Sequence, residues 1–174
     1  LWGLAYRADF DLQQHQEHSK QKLLYTDPDD NKRKFVPHVV EPTFGVDRTL
    51  LAMLLSAYNE EEVKGEKRVV MKFARHMAPD HVAVLPLMKK DGLPEKAKEV
   101  FEELLKDFRC EFDVTGSIGK RYRRQDEIGT PLCVTVDHDT LETGSVTVRD
   151  RDTMEQDKVD IKNLSSFISE RINS

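Results

Sequence analysis

A carboxylate, a glycine and an arginine lie close together in the segment Glu-Pro-Thr-Phe-Gly-Val-Asp-Arg at residues 41–48. In such a segment Glu41 can pair with a substrate ammonium group, Thr43 can add a hydroxyl, and Gly45 allows a ligand to approach the backbone. Arg48 supplies a planar cation that can stack on an adenine ring and stabilise moving charge on a triphosphate during adenylate formation. A salt bridge between Glu41 and Arg48 is the commoner explanation of this spacing, so chemistry alone leaves both interpretations open.

A second group of cations surrounds one tyrosine, Tyr122, further along the chain. No acidic residue lies between Ser117 and Gln125 in this stretch. Basic groups around an aromatic ring suit the phosphates and unstacked bases of single-stranded RNA, although a solvated helix face explains the pattern as well. Two arginines also alternate with acids at residues 149–152, where they could contact base edges or form surface ion pairs. The candidate RNA-binding residues are Lys120, Arg121, Arg123, Arg124, Arg149 and Arg151.

The remaining reactive side chains form no recognisable site in the sequence. The two cysteines, Cys110 and Cys133, lack partners at metal-ligand spacing, which indicates small core residues in a reducing compartment. The six histidines are isolated or lack a third ligand nearby, so no metal site is predicted. The stretch Gly116–Arg121 ends like a phosphate-binding loop, but its first glycine is too close to the lysine and Arg121 replaces the required Ser or Thr.

The composition limits the class of protein. The chain has 174 residues, 38% of them hydrophobic, and a formal net charge of −5 from 27 basic and 32 acidic residues. Binding to RNA would therefore depend on local clusters of cations rather than on an overall positive field. No run approaches the roughly 18 apolar residues of a membrane helix, and the first residues lack the basic-then-apolar order of a signal peptide, which predicts a soluble protein with no membrane partner. Together with the unpaired cysteines, this makes the cytoplasm the expected location.

The first part of the chain predicts a strand, a glycine turn and a helix that together present residues 41–48. The strand is predicted over Val36–Phe44, and the helix follows Gly45. Its apolar face carries Leu50, Leu51, Leu54, Leu55 and Tyr58. Within the polar segment Gln16–Lys34, the acidic patch Asp27–Asn31 predicts a turn or surface loop, and the charged stretch Asn59–Arg68 is expected to end the helix. Because the sequence begins in apolar residues without a methionine, we expect it to be a fragment.

Residues 79–174 change to short alternating elements in the order βαβαββα. The clearest helix has apolar residues at Ala97, Val100, Phe101, Leu104, Leu105 and Phe108. Strands predicted at Val82–Leu87 and Cys110–Val114 flank this helix and make a parallel βαβ unit. Strands at Leu132–Val136 and Ser145–Arg149 predict a hairpin. The pattern is typical of a three-layer α/β domain with a mixed sheet.

Three stretches of the chain resemble parts of one protein family. The segment at residues 41–48 resembles the third signature motif of class II aminoacyl-tRNA synthetases in its glycyl form, because a strand, a glycine and an arginine precede an apolar helix. Residues 1–15, which include Leu-Trp-Gly-Leu-Ala-Tyr-Arg and Asp-Phe-Asp-Leu, resemble the segment before that motif. The stretch His-Val-Ala-Val-Leu-Pro-Leu at residues 81–87 and the elements after it resemble the anticodon-binding domain of class IIa synthetases.

This resemblance to glycyl-tRNA synthetases implies two domains. Residues 1–78 would be the end of a class II catalytic domain, with an antiparallel sheet and helices, and residues 79–174 the anticodon-binding domain. The intact enzyme would be a homodimeric ligase that uses ATP with Mg²⁺ to form glycyl-adenylate and transfers glycine to tRNA(Gly). The first two signature motifs are missing, so this chain alone is not expected to aminoacylate. The alternative is a non-catalytic synthetase-like protein that binds nucleic acid, such as the accessory subunit of a mitochondrial DNA polymerase.

The resemblance also assigns roles to individual residues, with Glu41 and Arg48 as the catalytic pair. Glu41 would bind the ammonium group of glycine beside Thr43, where many relatives have serine. The glycine-binding residues would be Glu41, Pro42, Thr43, Phe44 and Gly45. The ATP-binding residues would be Leu1, Gly45, Val46, Asp47 and Arg48. The cations around Tyr122 and at residues 149–152 would contact tRNA.

Overall fold

The computed structural model describes residues 1–63 and 65–173, and the chain divides into two compact units, Leu1–Ala52 and Met53–Ser174. The first unit holds β1 (Trp2–Ala8), α1 (Phe10–Ser19), β2 (Tyr25–Thr26), β3 (Lys34–Phe35), β4 (Val39–Phe44) and most of α2 (Val46–Ala57). β1 pairs antiparallel with β4, and β2 pairs antiparallel with β3. The antiparallel strands, glycine turn and helix predicted for this part are confirmed.

The turn or loop predicted at the acidic patch Asp27–Asn31 is confirmed, because this patch lies in the connection between β2 and β3. At the start of the polar segment Gln16–Lys34, α1 extends to Ser19. α1 has no buried residue, so its sequence lacks the apolar stripe that identifies a packed helix.

The second unit is built around a mixed five-stranded sheet. It contains β5 (Tyr58–Val63), β6 (Glu66–Met71), β7 (Val82–Pro86), α3 (Leu93–Leu104), β8 (Cys110–Phe112), α4 (Ile118–Ile128), β9 (Leu132–Val136), α5 (His138–Thr143), β10 (Ser145–Asp150), β11 (Gln156–Asp160) and α6 (Leu164–Asn173). The strand order is β11-β10-β9-β7-β8. β7 runs parallel to β8 and β9, whereas β10 is antiparallel to β9 and β11. The predicted parallel βαβ unit is confirmed. β9 and β10 pair antiparallel as predicted, but the helix α5 lies between them, so the connection is not the simple hairpin that was expected.

Helices cover both faces of this sheet. β7 lies between two strands, and all five of its residues are buried, as expected for an apolar strand covered on both faces. One face packs against α3 and α6 through side chains such as Val100 and Ile168. On the other face, Leu85 and Cys133 pack against Tyr122 of α4. The predicted three-layer arrangement is therefore confirmed.

The charged stretch Asn59–Arg68 does more than end α2, because most of it belongs to the antiparallel β5–β6 pair. Acidic residues of β5 face basic residues of β6: Glu61 lies opposite Arg68, and Glu60 Oε2 is 2.7 Å from Lys67 Nζ. Opposite charges across neighbouring strands offset the low strand propensity of glutamate and lysine. β11 was also not predicted, since only one of its five residues is buried.

The β5–β6 hairpin belongs to the second compact unit, where β6 packs against α4. The division into compact units therefore falls after Ala52, earlier in the chain than the domain boundary predicted after residue 78. The assignment of residues 1–78 and 79–174 to two domains stays a prediction.

Gly129 ends α4 at a position that we expect no other residue to occupy without strain. Its φ is +92°, and a Cβ there would lie 2.7 Å from the backbone oxygen of Met71 and 2.7 Å from Cδ2 of Phe73. We expect Gly129→Ala to destabilise the chain by more than about 1 kcal/mol in urea unfolding followed by circular dichroism. The matched control is Gly119→Ala in the same helix, where a Cβ would meet no atom within 4 Å. That change should leave stability equal or higher, and equal losses at both positions would contradict the interpretation.

Candidate functional site

The turn between β4 and α2 is held in place by hydrogen bonds to β1. Gly3 lies opposite Thr43, whose hydroxyl donates a hydrogen bond of 3.3 Å to the Gly3 carbonyl. The N–H of Gly45 donates to the carbonyl of Leu1 at 3.0 Å. In the first turn of α2, the hydroxyl of Thr49 donates to the Gly45 carbonyl at 2.8 Å. The glycine turn is therefore fixed on both sides before any ligand binds.

This turn borders an open cavity of about 580 Å³, within the range typical of small-molecule sites. Its lining residues are Leu1, Trp2, Gly3, Thr43, Phe44, Gly45, Val46, Asp47 and Arg48. All five residues predicted to bind ATP line it, together with Thr43, Phe44 and Gly45 from the set predicted to bind glycine. Glu41 and Pro42 do not. The structure brings most of the predicted residues together, and their roles stay predictions.

Arg48 is one of the residues that line this cavity. Within residues 1–63 and 65–173, its side chain makes no hydrogen bond or ion pair. The salt bridge between Glu41 and Arg48, which was the other explanation of their spacing, is therefore not formed in the described chain. A free planar cation beside a fixed turn can bind phosphate oxygens or stack on a base.

Glu41 pairs with Arg7 of β1 instead. Its Oε2 lies 3.3 Å from Nε of Arg7, and both side chains are more than two-fifths exposed, at 42% and 43%. Arg7 also donates to Asp11 through a hydrogen bond of 2.9 Å from Nη2 to Oδ1. An ion pair this exposed contributes little to stability, so Glu41 can exchange Arg7 for another cationic group at low cost.

Arg121 of α4 is a buried anchor. Its guanidinium donates to the carbonyl oxygen of Pro86 and, at 3.3 Å each, to those of Leu87 and Gly116. Only 1% of the residue is exposed, and this burial lowers the pKa of Arg121. The side chain therefore ties α4 to the end of β7 and directs its donors inwards.

The exposed cations of α4 line an open groove of about 570 Å³. The residues around it are Glu66, Ser117, Gly119, Lys120, Arg123, Arg124 and Glu127. Arg124 donates to Oδ2 of Asp113 at 3.0 Å; although burial acts to raise the pKa of Asp113, the Thr115 N–H and Arg124 hold it below its ordinary value. Arg123 lies 3.7 Å from Glu66, a long pair with a mostly exposed carboxylate. This groove has the chemistry of a phosphate-binding surface.

One buried carboxylate, Asp126, binds two buried arginines in the second unit. Arg68 Nε is 2.8 Å from Oδ2 of Asp126, and Arg149 reaches Oδ1 and Oδ2 at 3.0 and 3.2 Å. Burial acts to lower the pKa of Arg68, but Asp126 and Glu61 raise it above the ordinary value. The guanidinium of Arg149 lies 4.9 Å from the centre of the Tyr122 ring. Arg68 and Asp126 were not among the predicted site residues, because nothing in their spacing along the chain indicates that they meet.

Arg151 is also directed inwards. It donates to the carbonyl oxygens of Gly129 and Phe73 at 2.9 Å each and of Met71 at 3.1 Å. The burial of Arg121, Arg149 and Arg151 disfavours direct contact with tRNA phosphates, because carbonyls or Asp126 already accept from their donors. The assignment of all six cations to tRNA binding stays a prediction, and the geometry favours Lys120, Arg123 and Arg124.

The other reactive groups offer no second reaction centre in the described chain. Burial raises the pKa of Cys110 and of Cys133 to about 12, so both thiols stay protonated at neutral pH. Within residues 1–63 and 65–173, no group of three or more His, Cys, Asp or Glu side chains is placed to hold a metal ion. Among the described helices, none combines the length and apolarity needed to cross a membrane.

The mixed sheet and the helices on both of its faces lie in the part of the chain that a family model matches. Residues 81–171 match the family model described as an anticodon binding domain. This chain belongs to that family.

Curated relatives carry a more specific name. The chain is 54% identical over 172 residues to the glycine–tRNA ligase of Bacillus anthracis, which covers 99% of this chain and 37% of that protein. It is 54% identical over 177 residues to the glycine–tRNA ligase of Clostridium perfringens, with the same coverage of 99% and 37%. Identity to the Acetivibrio thermocellus glycine–tRNA ligase is 55% over 168 residues, or 96% of this chain and 36% of the relative. The chain thus spans little more than a third of these relatives, and its resemblance to glycyl-tRNA synthetases is confirmed.

Proposed function

We propose that this chain is part of a glycine–tRNA ligase whose intact form activates glycine with ATP and transfers it to tRNA(Gly). The observation that carries the proposal is the cavity at the β4–α2 turn, because all five predicted ATP-binding residues line it and the Arg48 guanidinium makes no hydrogen bond or ion pair with the residues that the structure describes. The similarity to glycine–tRNA ligases over 99% of the chain supports the same conclusion.

In this proposal the turn supplies the ATP site and β4 supplies the glycine site. Arg48 binds the triphosphate or the adenine ring, while the backbone of Gly45 allows close approach. Glu41 binds the ammonium group of glycine, with Thr43 next to it on the same face of the strand. ATP arrives with Mg²⁺, which offsets triphosphate charge. The proposal includes a cytoplasmic, homodimeric enzyme.

The alternative is a synthetase-like protein that binds nucleic acid without catalysis. Such a protein would need neither an ATP site nor a glycine site. Glu41, Gly45 and Arg48 are all present here, and the curated relatives bear the name of the ligase. The enzyme is therefore the better-supported function.

Exchange of labelled pyrophosphate into ATP by the intact enzyme tests the catalytic part of the proposal. We expect exchange that depends on glycine and is much weaker with alanine, because the adenylate forms only when the amino acid fits beside Glu41. Exchange that is equally fast with both amino acids would reject the substrate. The absence of exchange with either one, alongside intact tRNA binding, would favour the non-catalytic alternative.

Charge reversal on the α4 groove tests the tRNA-binding part. We expect Lys120→Glu combined with Arg123→Glu to weaken binding of tRNA(Gly) by about tenfold or more and to lower the magnitude of the salt slope by about two. The control is Lys98→Glu combined with Lys106→Glu, which changes the charge equally at side chains that are 67% and 65% exposed elsewhere. Equal losses in both double variants would show a nonspecific charge effect and reject this surface.

A further inference from the structure

The β1 strand has small residues opposite the proposed glycine-binding residues of β4. Large side chains at positions 2, 4 and 6 of β1 alternate with Gly3 and Ala5, and successive side chains of a strand point to opposite faces. Gly3 lies opposite Thr43, and Ala5 lies opposite Glu41. On the sheet face that carries Glu41 and Thr43, β1 therefore contributes nothing larger than a methyl group at these two positions.

The Thr43 side chain occupies the space that a Cβ at Gly3 would need. Such a Cβ would lie 2.4 Å from Oγ1 of Thr43, far closer than the ~3.5 Å or more of an ordinary nonbonded contact. The Thr43 hydroxyl donates to the Gly3 carbonyl at 3.3 Å, and the neighbouring bond from the Gly45 N–H to the Leu1 carbonyl fixes the register of the two strands. The hydroxyl can take this position because residue 3 is glycine.

The bond to Gly3 decides which hydrogen-bonding groups Thr43 offers to a ligand. A hydroxyl has one proton to donate and two lone pairs that accept. Because the proton is directed at the Gly3 carbonyl, Oγ1 of Thr43 has only lone pairs left for a ligand in the cavity that both residues line. An ammonium group has three N–H donors and no acceptor. Thr43 in this orientation therefore complements the same group as the Glu41 carboxylate.

We propose that Gly3 is a positioning residue of the amino-acid site, which holds the Thr43 hydroxyl as an acceptor for the ammonium group of the substrate. The inference rests on the proposed glycine site on β4 and adds the residue of β1 that orients one of its groups. Gly3 acts through Thr43 in two ways, because its bare Cα admits the hydroxyl and its carbonyl takes the hydroxyl proton. A side chain at residue 3 would turn the hydroxyl away and leave the ammonium group with one acceptor fewer.

Gly3→Ala in the intact enzyme tests this role through glycine-dependent exchange of pyrophosphate into ATP. We expect the KM for glycine to rise about tenfold or more, because a hydrogen bond to a charged group is lost. The KM for ATP should stay within about twofold of the original. An unchanged KM for glycine would overturn the proposal. Equal increases in the KM for both substrates would also overturn it, since they would show that the whole turn has moved.

Double variants separate positioning from a general defect in β1. In a Thr43→Ala background no hydroxyl remains to be displaced, so adding Gly3→Ala should give the same KM for glycine as Thr43→Ala alone. In a Thr43→Ser background the hydroxyl is retained, and Gly3→Ala should raise the KM for glycine by the same factor as in the original enzyme. Fully additive losses in the Thr43→Ala background would reject the positioning role.

Thr43→Val leaves Gly3 intact and keeps the test decisive if Gly3→Ala does not fold. It replaces the hydroxyl by a methyl group of similar size, and we expect the KM for glycine to rise about tenfold or more. If Thr43→Val activates glycine with an unchanged KM, the positioning role is rejected and the proposed ligase function stands. If the original intact enzyme shows no glycine-dependent exchange, both are rejected.

Discussion

Arg48→Ala in the intact enzyme is expected to lower glycine-dependent pyrophosphate exchange by about 100- to 1000-fold, the usual cost of removing one preorganised donor from a charged transition state. Arg48 lines the cavity at the β4–α2 turn, and its guanidinium makes no side-chain hydrogen bond or ion pair with the described residues. Its donors are therefore available for phosphate oxygens at the moment when charge moves between them. The measurement is kcat/KM for ATP at saturating glycine.

Two controls separate this role from a role in folding. Arg48→Lys keeps the charge but loses the planar fork, so exchange should fall between the original enzyme and the alanine variant. Arg33→Ala removes an exposed arginine of the same unit that does not line the cavity, and exchange should not change. The free energy of unfolding of Arg48→Ala should stay within about 0.5 kcal/mol of the original, as for an exposed residue on the surface. Full exchange activity in Arg48→Ala would remove it from the site.

Asp126→Ala is expected to destabilise the second unit by about 3–5 kcal/mol, because it leaves the buried guanidiniums of Arg68 and Arg149 without their shared carboxylate. The side chains of Arg68, Asp126 and Arg149 are 0%, 1% and 7% exposed, so water cannot replace the lost partner. Unfolding in urea, followed by circular dichroism, measures the change without the added salt of guanidinium chloride.

The control for this loss is Asp139→Ala, which removes an exposed carboxylate that lies 2.9 Å from Lys158. We expect no measurable shift in its unfolding midpoint. Replacing all three buried residues by apolar ones, as Arg68→Met, Asp126→Leu and Arg149→Met, should recover part of the stability lost in Asp126→Ala, because no buried charge then remains unpaired. An unfolding midpoint for Asp126→Ala equal to that of Asp139→Ala would contradict the conclusion that the ion pairs among Arg68, Asp126 and Arg149 stabilise the second unit.

The periodicity of apolar residues predicted most of the packed elements. The apolar run in β7 and the helical spacing of Ala97, Val100 and Leu104 in α3 predicted the parallel βαβ unit. A strand buried on both faces is a continuous apolar run, and a helix buried on one face has apolar residues every three or four positions, so both can be recognised in the sequence. The order of strand, Gly45 and Arg48 predicted the turn that borders the cavity. The pairing of Glu41 with Arg7 could not be foreseen, because it depends on the register between β1 and β4.

The burial of several arginines could not be predicted from the order of residues along the chain. Arg121 and Arg151 donate mainly to backbone carbonyl groups, and carbonyls are present at every residue and leave no pattern in side-chain types. Arg121 resembled a member of a solvent-facing cluster because it stands between Lys120 and Arg123, which are less buried, and Arg151 stands in the separate mixed-charge stretch at residues 149–152. The β5–β6 hairpin escaped prediction because its strands are paired by charges instead of alternating apolar residues.

The position of Arg68 matters for anyone who wishes to produce the anticodon-binding domain separately. Arg68 lies in β6, before the first residue of the family match at His81, yet its guanidinium is packed inside the same fold. An excised piece starting at residue 79 would lack that guanidinium and expose the surface of α4 that β6 covers. An expression boundary placed ahead of Tyr58 would keep the β5–β6 hairpin. The domain would then retain Arg68, the positively charged partner of the buried Asp126 carboxylate.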